Sequence, residues 1–298
     1  GYHSLTSNTT GTSNTAVGTN ALSTITTNSN CTAVGKDALK VNTGGNNTAV
    51  GFGALEANTT GLSNVALGRT ALLTATTGSY NVAVGGEALE VGYVALKENT
   101  TGTQNNAFGV NSLTANTTGS YNIAVGTNSL MSATTANYNT AVGTNAMMSN
   151  TTGHSSVAVG GLALDANTTG ADNVAVGYNA MGANTTGNGS VALGISALAG
   201  NTSADNNTAL GRSALTTNST GHSNTAVGHY ALVNASTANN NTAVGKDSLG
   251  QTSGSDNTAL GKGAGNSIGS GTNNTCIGFG ALPSSGSASN VITLGNGS

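Results

Sequence analysis

Charged side chains are scarce in this sequence. Its 298 residues include 7 Lys and Arg and 10 Asp and Glu, and the formal net charge is −3. A charge this small, with no basic stripe, excludes the electrostatic attraction on which nucleic-acid binding depends. No apolar stretch approaches the roughly 20 residues that a transmembrane helix needs. We therefore expect neither a nucleic-acid partner nor insertion into a membrane.

Cysteine is almost absent, and the two that occur, Cys31 and Cys276, are far apart in the chain. They indicate no particular redox compartment. Both stand where the repeat described next has Asn or Ala, so we interpret them as small buried side chains. Low charge with many polar residues is also typical of disorder, but the regular return of Ala, Val and Leu favours an ordered chain.

One phrase, Asn-Thr-Ala-Val-Gly-x-x-Ala-Leu, returns along the whole sequence. It stands at 14–22 and recurs, with small substitutions, at 47–55, 64–72, 224–232 and 241–249. Its glycine recurs after 17 residues almost everywhere, with two steps of 16 and one of 7. A fixed period over the full length predicts a repeat architecture. We number each repeat from this glycine, which is position 1.

The residues of each repeat predict strands and turns rather than a helix. Apolar residues occupy positions 4 and 5 and positions 15 to 17, without the i, i+3, i+4, i+7 spacing of an amphipathic helix. Positions 8 to 11 commonly read Asn-Thr-Thr-Gly, as at 58–61, which is turn chemistry. We therefore predict that each repeat contains a strand at positions 14 to 17 and a short strand at positions 4 and 5, with one turn before the short strand and one after it.

Stacking of the repeats is the next inference, because one repeat cannot bury its apolar face alone. All charges fall at positions 2, 3, 6, 7, 12 and 13, which we expect to face solvent, while 4, 5 and 14 through 1 are interior. We predict an all-β protein, a parallel β-solenoid or β-roll of about seventeen 17-residue coils. At ~4.8 Å per coil it would be roughly 80 Å long.

The regularity of the repeats divides the chain into two parts. Residues 1–260 are regular 17-residue repeats, with an irregular insertion around 85–91 where half a repeat is duplicated. Residues 261–298 are degenerate repeats, and we interpret them as a cap or a transition to a missing C-terminal region. The two 16-residue repeats each lose one residue in the turn region, where we expect no change of strand register.

The direction of the strand side chains bears on assembly. Within the strand, positions 15 and 17 point to one side and 14 and 16 to the other. We expect 17 and 5 to fill the coil, which leaves the alanine row at 16 to pack against another chain. This predicts self-association as a homotrimer. The alternative is a monomeric solenoid whose alanines line its own narrow core.

The asparagines allow two interpretations. Several stand in Asn-x-Ser/Thr sequences, which are glycosylation acceptors: Asn8, Asn58, Asn99, Asn116, Asn150, Asn167, Asn184 and Asn201. Asn recurs just as strongly at position 14, mostly outside such sequences. That recurrence favours a structural role for both rows, with side-chain amides bonding from coil to coil.

The recurring phrase resembles the head repeat of trimeric autotransporter adhesins, in which an Asn-Ser-Val-Ala-Ile-Gly-like phrase recurs on a left-handed parallel β-roll. The longer repeat with Asn-Thr-Thr-Gly is more similar still to repeats of phage tail-fibre proteins. In those, an intramolecular chaperone commonly follows and is cut away after trimerisation, and 291–296 looks like the point where such a domain began.

The resemblance implies a function. It implies the homotrimeric structural shaft of an extracellular fibre, a phage tail fibre of the virion used in host attachment, with a host surface glycan or receptor as a further partner. The alternative that it implies is a bacterial cell-surface trimeric adhesin.

Residues that could carry chemistry are few. The acids stand singly on predicted turns, and the four histidines lack metal-ligand spacing. We expect no enzyme activity, metal or cofactor. Tyr121 and Tyr138 share position 13 of successive repeats and are the candidate ligand-binding residues, because exposed Tyr can hold a sugar face. Stacking of the two rings on a turn is the structural alternative.

Threonine rows raise one further hypothesis, an ice-binding β-solenoid. Such a surface favours Thr-x-Thr on a flat strand, with both hydroxyls on one face. The recurrent pairs, such as Thr59-Thr60, are adjacent and lie in a predicted turn, so their side chains would point in opposite directions.

Overall fold

The computed structural model describes residues 1–85 and 95–295, and in these ranges the chain is all-β and has no helix. The predicted parallel β-solenoid is confirmed. The described ranges contain seventeen three-residue strands. They are β1 (Thr15–Val17), β2 (Thr32–Val34), β3 (Thr48–Val50), β4 (Val65–Leu67), β5 (Val82–Val84), β6 (Asn106–Phe108), β7 (Ile123–Val125), β8 (Thr140–Val142), β9 (Val157–Val159), β10 (Val174–Val176), β11 (Val191–Leu193), β12 (Thr208–Leu210), β13 (Thr225–Val227), β14 (Thr242–Val244), β15 (Thr258–Leu260), β16 (Thr275–Ile277) and β17 (Ile292–Leu294).

The chain forms two compact units, Gly1–Thr152 with β1 to β8 and Gly153–Ser298 with β9 to β17. Within each unit a strand pairs in parallel with the next, like residue on like residue. Ala16 lies beside Ala33 in the first unit, and Ala175 beside Ala192 in the second. The 16-residue repeats keep this register, as the β2–β3 and β14–β15 pairs show, so the missing residue is absorbed in the turns as predicted.

The coil between β5 and β6 is longer than the others. Val82 pairs with Asn106, a step of 24 residues, and the backbone N–H of Leu72 donates to the carbonyl of Ala95 at 3.4 Å. The second copy of the duplicated half-repeat therefore supplies position 4 of this coil. Residues 86–91 of the predicted insertion lie outside the described residues.

The position 1 glycine is required by the close approach of successive coils. Gly18 has φ 135°, a conformation that other residues rarely adopt. A Cβ added to Gly18 would lie 2.5 Å from the carbonyl oxygen of Gly35 in the next coil. The regular glycine spacing thus marks the place where each strand ends and the backbone turns.

The predicted short strand at positions 4 and 5 is wrong, because this segment forms consecutive turns. The N–H of Ala54 donates to the carbonyl of Gly51 (3.4 Å), and the N–H of Asn58 to that of Leu55 (3.2 Å). Bonds from coil to coil persist here, as from the N–H of Leu39 to the carbonyl of Ala54 (3.0 Å). Positive φ at position 5 explains the turns, since an extended strand cannot include it.

The leucine at position 5 is the largest interior side chain of the coil. Leu55 is fully buried although its φ is 51°, and the leucines and methionines at this position from Leu5 to Leu249 in the described residues share that conformation. A left-handed conformation costs a side-chain-bearing residue roughly 1–2 kcal/mol. Burial of a leucine side chain contributes about 1.5–3 kcal/mol, which is enough to offset that cost.

The predicted orientation of the strands is also wrong. Ala192 in β11 is fully buried, whereas its neighbours Val191 and Leu193 are 40% and 43% exposed. Position 16 therefore lines the interior, and positions 15 and 17 face out. The coil is narrow, because a Cβ added to Gly265, a position 5 glycine, would already be in van der Waals contact with the Cβ of Ala259, at 3.5 Å. Positions 4, 5 and 14 are interior as predicted, and the alanines of position 16 line the coil, as in the alternative that the sequence left open.

Candidate functional site

The outward side chains of positions 15 and 17, which we call the outer strand face, form the principal apolar surface of each unit. In the register of the strands, position 17 is aliphatic or Phe on every rung. Leu67, Phe108, Leu193, Leu210 and Leu260 are 40–49% exposed. A repeated apolar row of this kind is typical of a surface that contacts another molecule.

Position 15 completes the outer strand face and differs between rungs. In the second unit it is Thr on five consecutive strands, β12 to β16, paired in register from Thr208 to Thr275. On β9 to β11 it is Val. The outer strand face therefore changes from fully aliphatic to mixed threonine and aliphatic within one unit.

Sequence reasoning recognised the residues of the outer strand face but assigned them to the interior. One signal in the sequence could have placed them outside. Asn at position 14 and Ala at position 16 lie on the same face of the strand, and a row of amides bonded from coil to coil has to face inward. Position 16 then also faces inward, and positions 15 and 17 face outward.

The asparagine row at position 14 is bonded as predicted. The Oδ1 of Asn47 accepts from the backbone N–H of Asn64 in the next coil (2.9 Å). The Nδ2 of Asn64 donates to the carbonyl of Gly78, a further coil along (2.9 Å). Each of these fully buried amides thus provides hydrogen-bond partners for backbone groups at the turn.

A second asparagine row runs along position 8. The Nδ2 of Asn116 donates to the Oδ1 of Asn99 (2.6 Å) and to the carbonyl of Gly119 (3.0 Å). The row is interrupted where position 8 is apolar, at Ile25, Ala75, Ala133, Ala235 and Ile268. The Oδ1 atoms of Asn8, Asn58, Asn116 and Asn218, each one coil before such an interruption, find no hydrogen-bond partner among the described residues.

Burial bears on the glycosylation alternative. Asn58, Asn99, Asn116, Asn150, Asn167, Asn184 and Asn201 are all fully buried in the folded chain. Asn8, the remaining member of the eight asparagines named above, is partly exposed. The folded structure therefore favours the structural role of these amides.

Tyr121 and Tyr138, the candidate ligand-binding residues, lie side by side in successive coils of the first unit. Their ring centroids are 4.8 Å apart with planes at 8°, and the side chains are 48% and 61% exposed. Each ring therefore covers one face of the other, which leaves a ligand only the outer faces and the edges. This stacking agrees with the structural alternative, and ligand binding here stays a prediction.

The densest group of charges lies on the turns of the first unit. Lys36 Nζ and Arg69 Cζ each stand 5.6 Å from the ring centroid of Phe52, and Lys40 Nζ is 3.3 Å from Glu56 Oε1. The side-chain amide of Asn20, with the nearby lysines, lowers the pKa of Asp37. These charged groups therefore satisfy one another rather than a ligand.

The groups that bind metals or act as nucleophiles are dispersed over the described residues. Residues 1–85 and 95–295 contain no cluster of three His, Cys, Asp or Glu that could hold a metal ion. Cys31 and Cys276 are unpaired and buried, as the sequence predicted, and burial raises the pKa of both thiols.

The comparisons with known proteins give no relative. No family model matches the chain, and no curated protein matches it in sequence. Within the part of the chain that the structure describes, no helix is long and apolar enough to span a membrane.

Proposed function

We propose that this chain is the structural shaft of an extracellular fibre, foremost a phage tail fibre of the virion that serves in host attachment, and that three parallel copies associate through their outer strand faces. The single observation that supports it is the apolar row at position 17, which stays at least partly exposed along each unit. The resemblance of the repeat to those of tail-fibre proteins agrees with this proposal but is not its main support.

The size of the outer strand face supports association. A three-residue strand is about 10 Å long and rungs are about 4.8 Å apart, which gives roughly 50 Å² per coil. The eight strands of the first unit then present roughly 400 Å², within the range of about 300–600 Å² for the largest patch on a monomer, which is often functional. Both units carry such a face, and covering it would remove apolar side chains from water, which is favourable.

The parallel, in-register character of the face favours association of parallel chains, and the number three is what the resemblance to fibre repeats implies. Because every rung carries an apolar side chain at position 17, copies lying side by side can match rung to rung along each unit. This assignment replaces the alanine row that the sequence suggested as the contact. The self-association is the partner interaction proposed here, and a host surface glycan or receptor is the further partner of the complete fibre.

The interior suits a mechanical role. Backbone bonds link neighbouring coils at the strands and at the turns, and two rows of buried amides add side-chain bonds in the same direction. Resistance to opening then comes from many small repeated contributions rather than from one large core. An adhesin of a bacterial surface has the same mechanical needs and is the alternative setting.

Light scattering of the purified chain tests the proposal, with a mass of three chains as the expected result. Replacing both Leu193 and Leu210 by Glu places charges on the outer strand face and should convert the trimer to monomers. The control is Ala199→Glu at position 6, where Glu56 and Asp165 stand in other coils. A wild-type mass of one or two chains, or a trimer unaffected by the double substitution, would contradict the proposal.

One observation favours testing ice binding as a second function. The five-rung threonine row of β12 to β16 lies on a regular strand face, beside the aliphatic row. The position 9 threonines do not qualify, because the hydroxyl of Thr59 donates to the carbonyl of Thr76 (2.9 Å), and others in the row do the same. Thermal hysteresis by the purified chain, lost on replacing Thr242 by Lys, would support this second function.

A further inference from the structure

A hollow of about 310 Å³ lies on the turns of three successive coils in the second unit. It is lined by Tyr230, Val233, Asp247, Gly250, Gln251 and Asn266. These residues come from positions 3, 6 and 7, so the hollow is separate from the outer strand face. Its volume is at the lower end of the range for small-molecule sites, about 300–1,000 Å³.

Two glycines differ in how they shape this region. Gly250 occupies position 6 between Val233 and Asn266, and a Cβ added there would overlap Oδ1 of Asn266, so the Asn266 amide takes the space that a side chain at 250 would fill. Gly263 follows Asp247 in the position 3 row, and a Cβ added there would meet no atom within 4 Å. The position 3 row is therefore open on the side of Asp247 that Gly263 follows.

The lining groups combine one aromatic ring with several hydrogen-bonding groups. Tyr230 is 37% exposed, and His229 packs against its ring with centroids 4.0 Å apart. The Asp247 carboxylate is half-buried, 3.6 Å from Lys246 Nζ. The amides of Gln251 and Asn266 can each donate and accept. Val233 adds an apolar wall.

A ligand complementary to this surface has an apolar C–H face and several hydroxyls. A carboxylate accepts hydrogen bonds from neighbouring hydroxyls, an amide exchanges bonds with one hydroxyl, and an aromatic ring packs on C–H groups. A pyranose sugar has this combination. A metal ion does not suit the site, because Asp247 is the one carboxylate in the lining.

A second hollow, in the first unit, provides a contrast. It measures about 400 Å³ and is lined by Lys40, Val41, Glu56, Ala57, Leu73 and Thr74. Its two charged groups, Lys40 and Glu56, pair with each other at 3.3 Å. The remaining lining is mostly apolar, so this hollow offers fewer hydrogen-bonding groups to a hydroxylated ligand than the hollow around Tyr230 does.

We propose that the hollow around Tyr230 binds one pyranose unit of a saccharide, with Tyr230 as the platform and Asp247, Gln251 and Asn266 as the hydrogen-bonding groups. The site lies within one chain and goes beyond the proposed shaft function, because it does not depend on the trimer. For a shallow site that holds one sugar unit, we expect a dissociation constant on the order of 1 mM.

Saturation-transfer NMR with glucose, galactose, mannose and N-acetylglucosamine, each at about 10 mM, tests the proposal at this affinity. At least one sugar should receive saturation from the wild-type protein. Tyr230→Ala and Gly263→Asn should each weaken binding about tenfold. Gly263→Asn places next to Asp247 in the position 3 row the residue that this position carries at Asn111, Asn128 and Asn145, so the fold is preserved.

The matched control is Gly53→Asn, the same substitution at position 3 of the first unit. Its φ is 62°, close to the 67° of Gly263, and binding should be unchanged. The proposal is overturned if none of the four sugars receives saturation, or if Gly263→Asn binds as well as Gly53→Asn. A monomeric mass by light scattering would defeat the trimer and leave this result unaffected.

Discussion

The two faces of one strand differ in burial, and the smaller side chain is the one that is buried. In β11 the inward residue is Ala192, and the outward residues Val191 and Leu193 are larger and more apolar but half exposed. A coil of 17 residues has so little interior that leucine at position 5 and a methyl group at position 16 fill it. Interior volume, and not hydrophobicity alone, therefore decides which apolar residue is buried in a thin solenoid.

The largest expected effect comes from placing a charge on the inner side. Leu164→Asp should open the coils around it and cost about 4 kcal/mol or more, because it leaves a cavity and an unpaired buried charge. Hydrogen exchange of the amides in these coils measures the opening. Ala199→Asp, at a position where Asp165 occurs naturally, should leave exchange unchanged; equal effects of both would remove the distinction between inside and outside.

A second test enlarges one inward and one outward side chain of the same strand. Ala192→Leu adds volume where the coil has none and should lower the free energy of unfolding by about 1–3 kcal/mol. Val191→Leu, on the outer strand face, should change it by less than about 0.5 kcal/mol. Urea denaturation of both variants gives the two values. If the Val191 variant were the less stable one, the assignment of the strand faces would be reversed.

The interrupted asparagine row offers a stabilising substitution. Ala133→Asn gives the unpartnered Oδ1 of Asn116 a donor, as Asn184 gives Asn167 at 2.8 Å in the second unit. The free energy of unfolding should rise by about 1 kcal/mol. Ala133→Ser, which is too short to reach, is the control. A destabilised Asn variant would show that the row is interrupted for lack of space.

The smallest effect concerns two carboxylates with opposite environments. Burial raises the pKa of Asp165, so the folded chain holds this proton more tightly than the unfolded chain does. Its contribution is therefore most favourable below the ordinary pKa of 3.8 and is lost as pH rises through the folded value. Asp165→Asn should stabilise the chain at neutral pH by less than about 1 kcal/mol, since solvent screens this site.

Asp37 is the matched control for that titration. Its pKa is lowered, chiefly by the hydrogen bond from Asn20 at 2.8 Å, so its contribution is present above the ordinary pKa and lost as pH falls. Asp37→Asn should not stabilise the chain at neutral pH. Thermal melts of both variants at neutral and acid pH measure the difference, and a gain for Asp37→Asn would contradict the assignment.

Much of the fold could be predicted because the same residue pattern recurs in successive repeats. The β-prone strand residues, the position 1 glycine and the amide rows were all recognisable. The turn at positions 4 and 5 was not, because an Ala-Leu pair gives no sign of positive φ. The hollow at Tyr230 was missed for another reason: its lining residues come from three coils, which must be stacked before that space exists.

The sequence by itself determined the period, the parallel register and the identity of the stacked rows, because a strict repeat with one glycine per coil returns the backbone to the same point each time. The tertiary structure decided which strand face is inside, and in the sequence only the asparagine row at position 14 pointed to that choice. That choice depends on the distance between the strand and the leucine of position 5, which packs against it across the coil. No local pattern of apolar and polar residues contains this distance.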